Sequence, residues 1–260
     1  MWSLKENQFN SHLILGTAQY PSLETLVKSI KISQTNLITV SLQRERMKVG
    51  QSSPFCKMLS NLDIKFLPNT AGAYSAKAAI SIAQVARDIF NTSLIKLEVI
   101  QEDKFLSPNG PELITAAERL IEMGFDVLPF CTGDLSIAAR LVEVGCHVLM
   151  PWGSPIGSGQ GIQNETSLKR LRERFPDTIL ILDAGLGRPS DAARVMEWGF
   201  DAVLVNSAIA KSHDPVNMAQ SFAQAIEAGR KGYLAGIMPG FNLAQPSSTY
   251  VDKDFWSTLL

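Results

Sequence analysis

Leu94-Ile95-Lys96-Leu97-Glu98-Val99-Ile100 is a short, largely apolar run, and the pattern after it, Gly110–Met123, repeats its apolar residues at helical spacing and stops at Gly124. The next apolar run, Phe125–Cys131, begins at once. That unit recurs in both directions along the chain. Before it lie the runs His12–Thr17, Leu37–Leu42 and Ile64–Thr70; after it come Cys146–Gly153, Thr178–Gly185 and Ala202–Ile209. Helical patterns at Ser75–Phe90, Asp134–Val144, Glu165–Phe175 and Ser190–Trp198 alternate with them, and Gly145 and Gly199 sit where Gly124 does, at the left-handed C-terminal cap. Nearly continuous apolar runs are what parallel strands covered by helices require. Run starts are spaced by roughly 20 to 32 residues, the size of one βα unit. Eight such units in one chain of 260 residues predict a single-domain α/β fold, a (βα)8 TIM barrel over residues 1–240. An open sheet of eight parallel strands is the other arrangement. The stretch 241–260, with Pro246 and Ser247-Ser248, reads as a flexible C-terminal tail.

Within the opening run, alternation of faces separates Ile95, Leu97 and Val99 from Leu94, Lys96, Glu98 and Ile100. The wholly apolar face belongs against the helices, so Lys96 and Glu98 point into the barrel. A charge inside a barrel is costly unless it is paired or neutralised. Two readings follow. Lys96 is an amine nucleophile, with its pKa depressed by burial so that the free amine attacks a ketone and Glu98 moves protons; or the two form a buried ion pair without chemistry. Asp183 ends the run Ile179-Leu180-Ile181-Leu182-Asp183, where barrel side chains face the catalytic mouth, unless it merely caps the turn at Ala184-Gly185.

Small-residue loops follow three consecutive runs: Gly153-Ser154-Pro155-Ile156-Gly157-Ser158-Gly159-Gln160-Gly161, then Ala184-Gly185-Leu186-Gly187, then Asn206-Ser207-Ala208-Ile209. Glycines let backbone amides approach an anion, and barrels commonly hold phosphate with the loops after the last two strands. A phosphorylated substrate is expected there, with Asn206 either a ligand or a strand-end hydrogen-bonder.

The totals bound the rest. Lysine and arginine number 24 against 25 acidic residues, a net charge of −1 with no basic footprint for nucleic acid. No apolar run reaches the roughly 18 residues of a membrane span. Met1-Trp2-Ser3-Leu4-Lys5 lacks a signal-peptide plan, and Cys56, Cys131 and Cys146 show no paired spacing, so a cytoplasmic protein with reduced thiols is expected. Cys131 ends the fifth run and is expected at the mouth, as a pocket residue at most. His147 and His213 have no partner spacing and are expected to be structural.

Leu67-Pro68-Asn69-Thr70-Ala71-Gly72-Ala73, Ile95-Lys96-Leu97-Glu98-Val99-Ile100, Ser154-Pro155-Ile156-Gly157-Ser158-Gly159-Gln160-Gly161, Asp183-Ala184-Gly185 and Asp214-Pro215 closely resemble, in order, the bacterial thiazole synthase family. The similarity runs from Leu13 to Arg230. The resemblance implies a sulfur-transferring enzyme that makes the thiazole phosphate half of thiamine. Lys96 would form an imine with 1-deoxy-D-xylulose 5-phosphate, while Glu98 and Asp183 move protons. Gly157, Ala184, Gly185, Asn206 and Ser207 would contact the sugar phosphate. A ubiquitin-like carrier protein would deliver sulfur from a C-terminal thiocarboxylate, and dehydroglycine the remaining ring atoms. The resemblance further implies a homo-oligomer, dimer or tetramer, without metal or organic cofactor. The chain departs from the family at four basic positions, now His12, Gln19, Gln43 and Ile237, a loss expected to bear on surface contacts or partner docking. Two other readings stay open: a different Schiff-base sugar-phosphate enzyme, such as an aldolase, and a degenerate barrel that binds a partner.

Overall fold

A computed structural model describes residues 2–42, 54–59, 62–102 and 104–247. Strands β3 (Leu13–Gly16), β4 (Leu37–Ser41), β5 (Lys65–Asn69), β6 (Leu94–Leu97), β7 (Asp126–Cys131), β8 (Val148–Pro151), β9 (Ile179–Asp183) and β10 (Ala202–Val205) form a closed parallel barrel. β10 closes it on β3, pairing Val203 with Leu13 and Leu204 with Ile14. Outside it run α1 (Leu23–Ser33), α2 (Pro54–Leu59), α3 (Ala76–Phe90), α4 (Gly110–Glu122), α5 (Leu135–Glu143), α6 (Glu165–Arg174), α7 (Pro189–Glu197), the short α8 (Ser207–Ala210) and α9 (Pro215–Ala235). Each expected run contains one of the barrel strands, trimmed at its ends. The closed order replaces the open-sheet alternative.

Local chemistry places the helix ends. Ser22, Ser75, Asn109, Asp134, Asn164 and Asp214 each accept a backbone N–H of the first turn, satisfying a donor the helix cannot. Gly124 and Gly199 take φ of +80° and +85°, and Gly145 +105°, as their position after α4, α7 and α5 demands.

Alternation along the strands sorts two cores. Ile95, Leu97 and Val99 join Leu13, Leu15, Ile38 and Val40 against the helices. Leu94 joins Ile14, Leu67, Leu128, Met150 and Ile181 inside the barrel. The floor of that inner core comes from a feature absent from the sequence reading, an antiparallel hairpin of β1 (Trp2–Leu4) and β2 (Asn7–Phe9). Trp2, Leu4 and Phe9 plug the N-terminal end, Trp2 lying 4.9 Å from the Phe9 ring and donating its indole N–H to Ser11 O at 2.8 Å. Phe9 is wholly buried. Phe9→Ala is expected to cost about 3–5 kcal/mol, read as a lower urea midpoint, with the chemistry at the opposite end unchanged in the folded fraction.

One expectation is corrected at this level. His12 is no docking residue: it is 5% exposed, at the N-terminal end of β3, and its Nδ1 meets Asp201 O at 2.5 Å. Gln43 lies outside the described residues, as do residues 248–260 of the expected tail; residues 241–247 are exposed. Burial pulls the His12 pKa below its usual 6.5, a shift partly offset by the bond to Asp201. Below pH 6.5 the unfolded chain therefore binds a proton at this site that the folded chain resists. The contribution of His12 is whole above that pH and fades as pH falls through the folded value. His12→Asn is expected to flatten this part of the decline in urea midpoint between about pH 7.5 and about pH 5.

Candidate active site

β6 carries Lys96 in register with Asn69 of β5 and Leu128 of β7, its side chain turned into the barrel. Asp183 ends β9, three strands away round the closed order, and faces the same interior. Lys96 Nζ reaches across to Asp183 Oδ2 at 2.7 Å and to Glu98 Oε1 at 3.1 Å. All three groups are buried, at 6%, 5% and 2% exposure for Lys96, Glu98 and Asp183. Asp183 Oδ2 has that ammonium as its partner, and no other hydrogen-bond donor reaches it among the described residues. The Phe130 ring, with its centroid 5.5 Å from Nζ, forms an apolar wall beside the amine.

The electrostatics correct the expected free amine. Burial alone would pull the lysine pKa down, but attraction first from Asp183 and then from Glu98 more than reverses it, so the pKa is raised and Lys96 rests as an ammonium. Burial is also the main cause of a raised Asp183 pKa, which outweighs the lowering by Lys96. The ammonium thus has two buried carboxyl groups within hydrogen-bond reach. A carbonyl arriving there meets an amine whose proton already has a buried acceptor 2.7 Å away.

Above this cluster lie the loops after β8, β9 and β10. Gly157, Ala184 and Gly185 all take left-handed backbone, at φ +72°, +73° and +83°. The first two loops are sewn together: Gly161 N donates to Gly185 O at 2.9 Å, Gly153 N to Ala184 O at 3.2 Å, and Ser154 Oγ to Gly185 O at 3.1 Å. A Cβ on Gly185 would stand 2.0 Å from Ser154 Oγ and 2.5 Å from Ser154 N. Asn206 precedes α8 without capping it; oriented as its neighbours require, its amide nitrogen donates to Gly16 O at 3.2 Å and Ala18 O at 2.9 Å. It thereby ties β10 to the loop after β3.

A cavity of about 480 Å3 opens at the C-terminal end of the barrel and brings all eight expected site residues together: Lys96, Glu98, Asp183, Gly157, Ala184, Gly185, Asn206 and Ser207. Gln19, one of the four altered basic positions, also lines it. Ile237 is exposed, beyond the end of α9. Cys131 is absent from the lining: it packs on the helix side of β7, because Leu128 sets the inward parity and Cys131 falls on the opposite one. The sequence reading missed Thr39, Ser41, Asn69 and Lys211, which also line the cavity. The first three carry polar side chains at inward parity on β4 and β5, so the alternation rule used for Lys96 would have found them; Lys211 follows α8 and had no such signal. Among the described residues, no group of three or more His, Cys, Asp or Glu is placed to hold a metal ion.

Comparison with known proteins supplies an independent line. The family model described as Thiazole biosynthesis protein ThiG matches residues 3–249. A thiazole synthase of Coxiella burnetii (strain Dugway 5J108-111) is 50% identical over 255 residues, 98% of each chain. One from Bartonella quintana (strain Toulouse) is 51% identical over 257 residues, 99% of this chain and 100% of the other. Among solved structures, the Amycolatopsis orientalis BexX/CysO complex matches with a TM-score of 0.83 at 27% identity, covering 93% of this chain and 98% of that one. The native KDPGal structure, at a TM-score of 0.58 and 14% identity, shares the fold alone.

Proposed function

Because the chain belongs to the thiazole synthase (ThiG) family of sulfur-transferring enzymes in thiamine biosynthesis, we propose that it forms the thiazole phosphate through an imine on Lys96. Its substrates in this reading are 1-deoxy-D-xylulose 5-phosphate, dehydroglycine and the thiocarboxylate sulfur of a ubiquitin-like carrier protein. The observation that carries it is the Lys96 ammonium held between Asp183 and Glu98 in the cavity that the three small-residue loops overhang.

The sugar phosphate sits over Gly157, Ala184, Gly185, Asn206 and Ser207; left-handed backbone at the first three turns amides toward an anion, and Lys211 at the rim adds positive charge. This places the ketone at Lys96. Asp183 takes the ammonium proton, and the freed amine adds to the carbonyl carbon. Water leaves from the carbinolamine to give a protonated imine. Glu98 then removes the proton from the neighbouring carbon, and reprotonation moves the carbonyl one position along the sugar. Sulfur from the carrier and the nitrogen and carbon of dehydroglycine complete the ring.

The relative solved as the BexX/CysO complex supports a protein partner for this chain as well. We place the enzyme in the cytoplasm as a homo-oligomer, dimer or tetramer, working without metal or organic cofactor. The free thiols of Cys131 and Cys146 agree with that compartment, and no helix among the described residues is long and apolar enough to cross a membrane. Loss of the basic side chain at Gln19 alters the rim that a carrier tail passes. Incubation with the sugar phosphate, dehydroglycine and carrier bearing labelled sulfur is expected to yield a thiazole ring carrying the label. Cleavage of the sugar without ring formation would replace this reading with an aldolase.

A further inference from the structure

The geometry points to Thr70 as the residue that holds Glu98 in position for proton transfer, an inference that rests on Glu98 carrying the carbon-bound proton in the reading above. β5 ends at Asn69 and β6 at Leu97, and Thr70 N donating to Lys96 O at 3.1 Å is the last backbone rung between them. The chain then turns away through Ala71 and Gly72, the latter at φ +91°. Glu98 therefore begins where its strand has lost its neighbour on that side, with an N–H and a C=O that the ladder no longer serves.

The Thr70 hydroxyl serves both. It accepts from Glu98 N at 2.8 Å and donates to Glu98 O at 2.7 Å. One oxygen bonded to both the N–H and the C=O of Glu98 leaves the φ and ψ of that residue little freedom. Thr70 is wholly buried, and its β-branched side chain favours few rotamers, so the bracket is stiff. Ile100 N donating to Ala73 O at 2.9 Å and Asn109 N donating to Val99 O at 2.8 Å secure the residues that follow. Thr70 does not line the cavity. It acts through Glu98, whose carboxylate it helps to keep 3.1 Å from the amine.

The step it supports balances within the imine. The C–H bond next to the imine carbon breaks, its proton goes to the Glu98 carboxylate, and its electron pair forms the new C=C bond. The C=N π pair moves to nitrogen, giving an enamine. In D2O the returning proton is a deuteron, so exchange at that carbon, followed by NMR with the sugar phosphate alone, reports this step directly.

Thr70→Val, Thr70→Ser and Glu98→Gln are compared with the unaltered enzyme by D2O exchange, by borohydride trapping of the imine and by thermal unfolding. Thr70→Val is expected to slow exchange about 10- to 100-fold, the scale of a small misplacement of a reacting group. Trapping extent and the KM for the sugar are expected to stay within about threefold, because imine formation does not use Glu98. Thr70→Ser, which keeps the hydroxyl, is expected to restore exchange to within about threefold of the unaltered enzyme. Unchanged exchange in folded Thr70→Val, with Glu98→Gln slowed, overturns the role of Thr70 and leaves that of Glu98 standing. Unchanged exchange in Glu98→Gln removes the reading on which both depend. If Thr70→Val does not fold, Thr70→Ala, which also removes the hydroxyl, is read against the same outcomes.

Discussion

Lys96→Ala is expected to lower turnover by roughly 10^4- to 10^6-fold, the scale seen when a covalent nucleophile is removed. The same substitution strips the counter-ion from Glu98 and Asp183, which are buried on either side of Nζ. Breaking a buried pair by removing one partner costs about 3–5 kcal/mol. The cost depends on pH in a definite direction. Without the ammonium, the burial that already raises the Asp183 pKa is no longer opposed by a neighbouring cation, so this carboxyl lies further above its unfolded value. The folded variant then binds a proton that the unfolded chain has released, so its stability is fullest in acid and is lost as pH rises through the folded value. Lys96→Arg separates the two effects: it keeps a cation between the carboxylates but cannot form the imine, so activity falls as far while the pH-dependent destabilisation is largely absent. Turnover and urea midpoints at about pH 5 and about pH 8 check both statements.

Gly185→Ala is expected to raise the KM for the sugar phosphate by about 100-fold, because the added methyl must displace the loop that holds the anion. Its Cβ would fall 2.0 Å from Ser154 Oγ, 2.5 Å from Ser154 N and 2.6 Å from Ser154 O. Two of those three atoms are backbone, so a rotamer change cannot relieve the clash, and φ of +83° adds about 1–2 kcal/mol of conformational strain for alanine. Gly124→Ala is the control. Its φ is +80°, yet a Cβ there meets nothing within 4 Å. It is expected to cost the same strain of about 1–2 kcal/mol and to leave KM unchanged. Steady-state kinetics on both variants, with unfolding midpoints alongside, separate loss of the anion loop from general destabilisation.

The barrel was legible because buried parallel strands leave nearly unbroken apolar runs, and the eight of them recur at the spacing of one βα unit. The helix ends were legible for the same local reason, since Gly124, Gly145 and Gly199 stand where left-handed backbone is needed. The β1–β2 hairpin was not, because three-residue strands around a turn at Lys5 and Glu6 carry too little periodicity to register. Inside the site, parity placed Lys96 and Glu98 on the interior face, and the strand end placed Asp183 at the mouth. What sequence could not supply was distance. Burial alone argues for a neutral lysine, and only the 2.7 Å and 3.1 Å contacts decide for the ammonium. Cys131 was misplaced at the mouth because its parity was not followed: Leu128 and Cys131 are an odd number of residues apart and face opposite sides. The buried place of His12 had no sequence signal, because the carbonyl it meets belongs to Asp201, 189 residues away.

The amine on β6 becomes covalently joined to the sugar in this mechanism. Borohydride reduction of the enzyme with 1-deoxy-D-xylulose 5-phosphate, followed by peptide mapping, tests it most directly. A stable sugar-phosphate adduct is expected on the peptide containing Lys96, and none in Lys96→Arg. An adduct on a different lysine, or continued thiazole formation by Lys96→Arg, would contradict it.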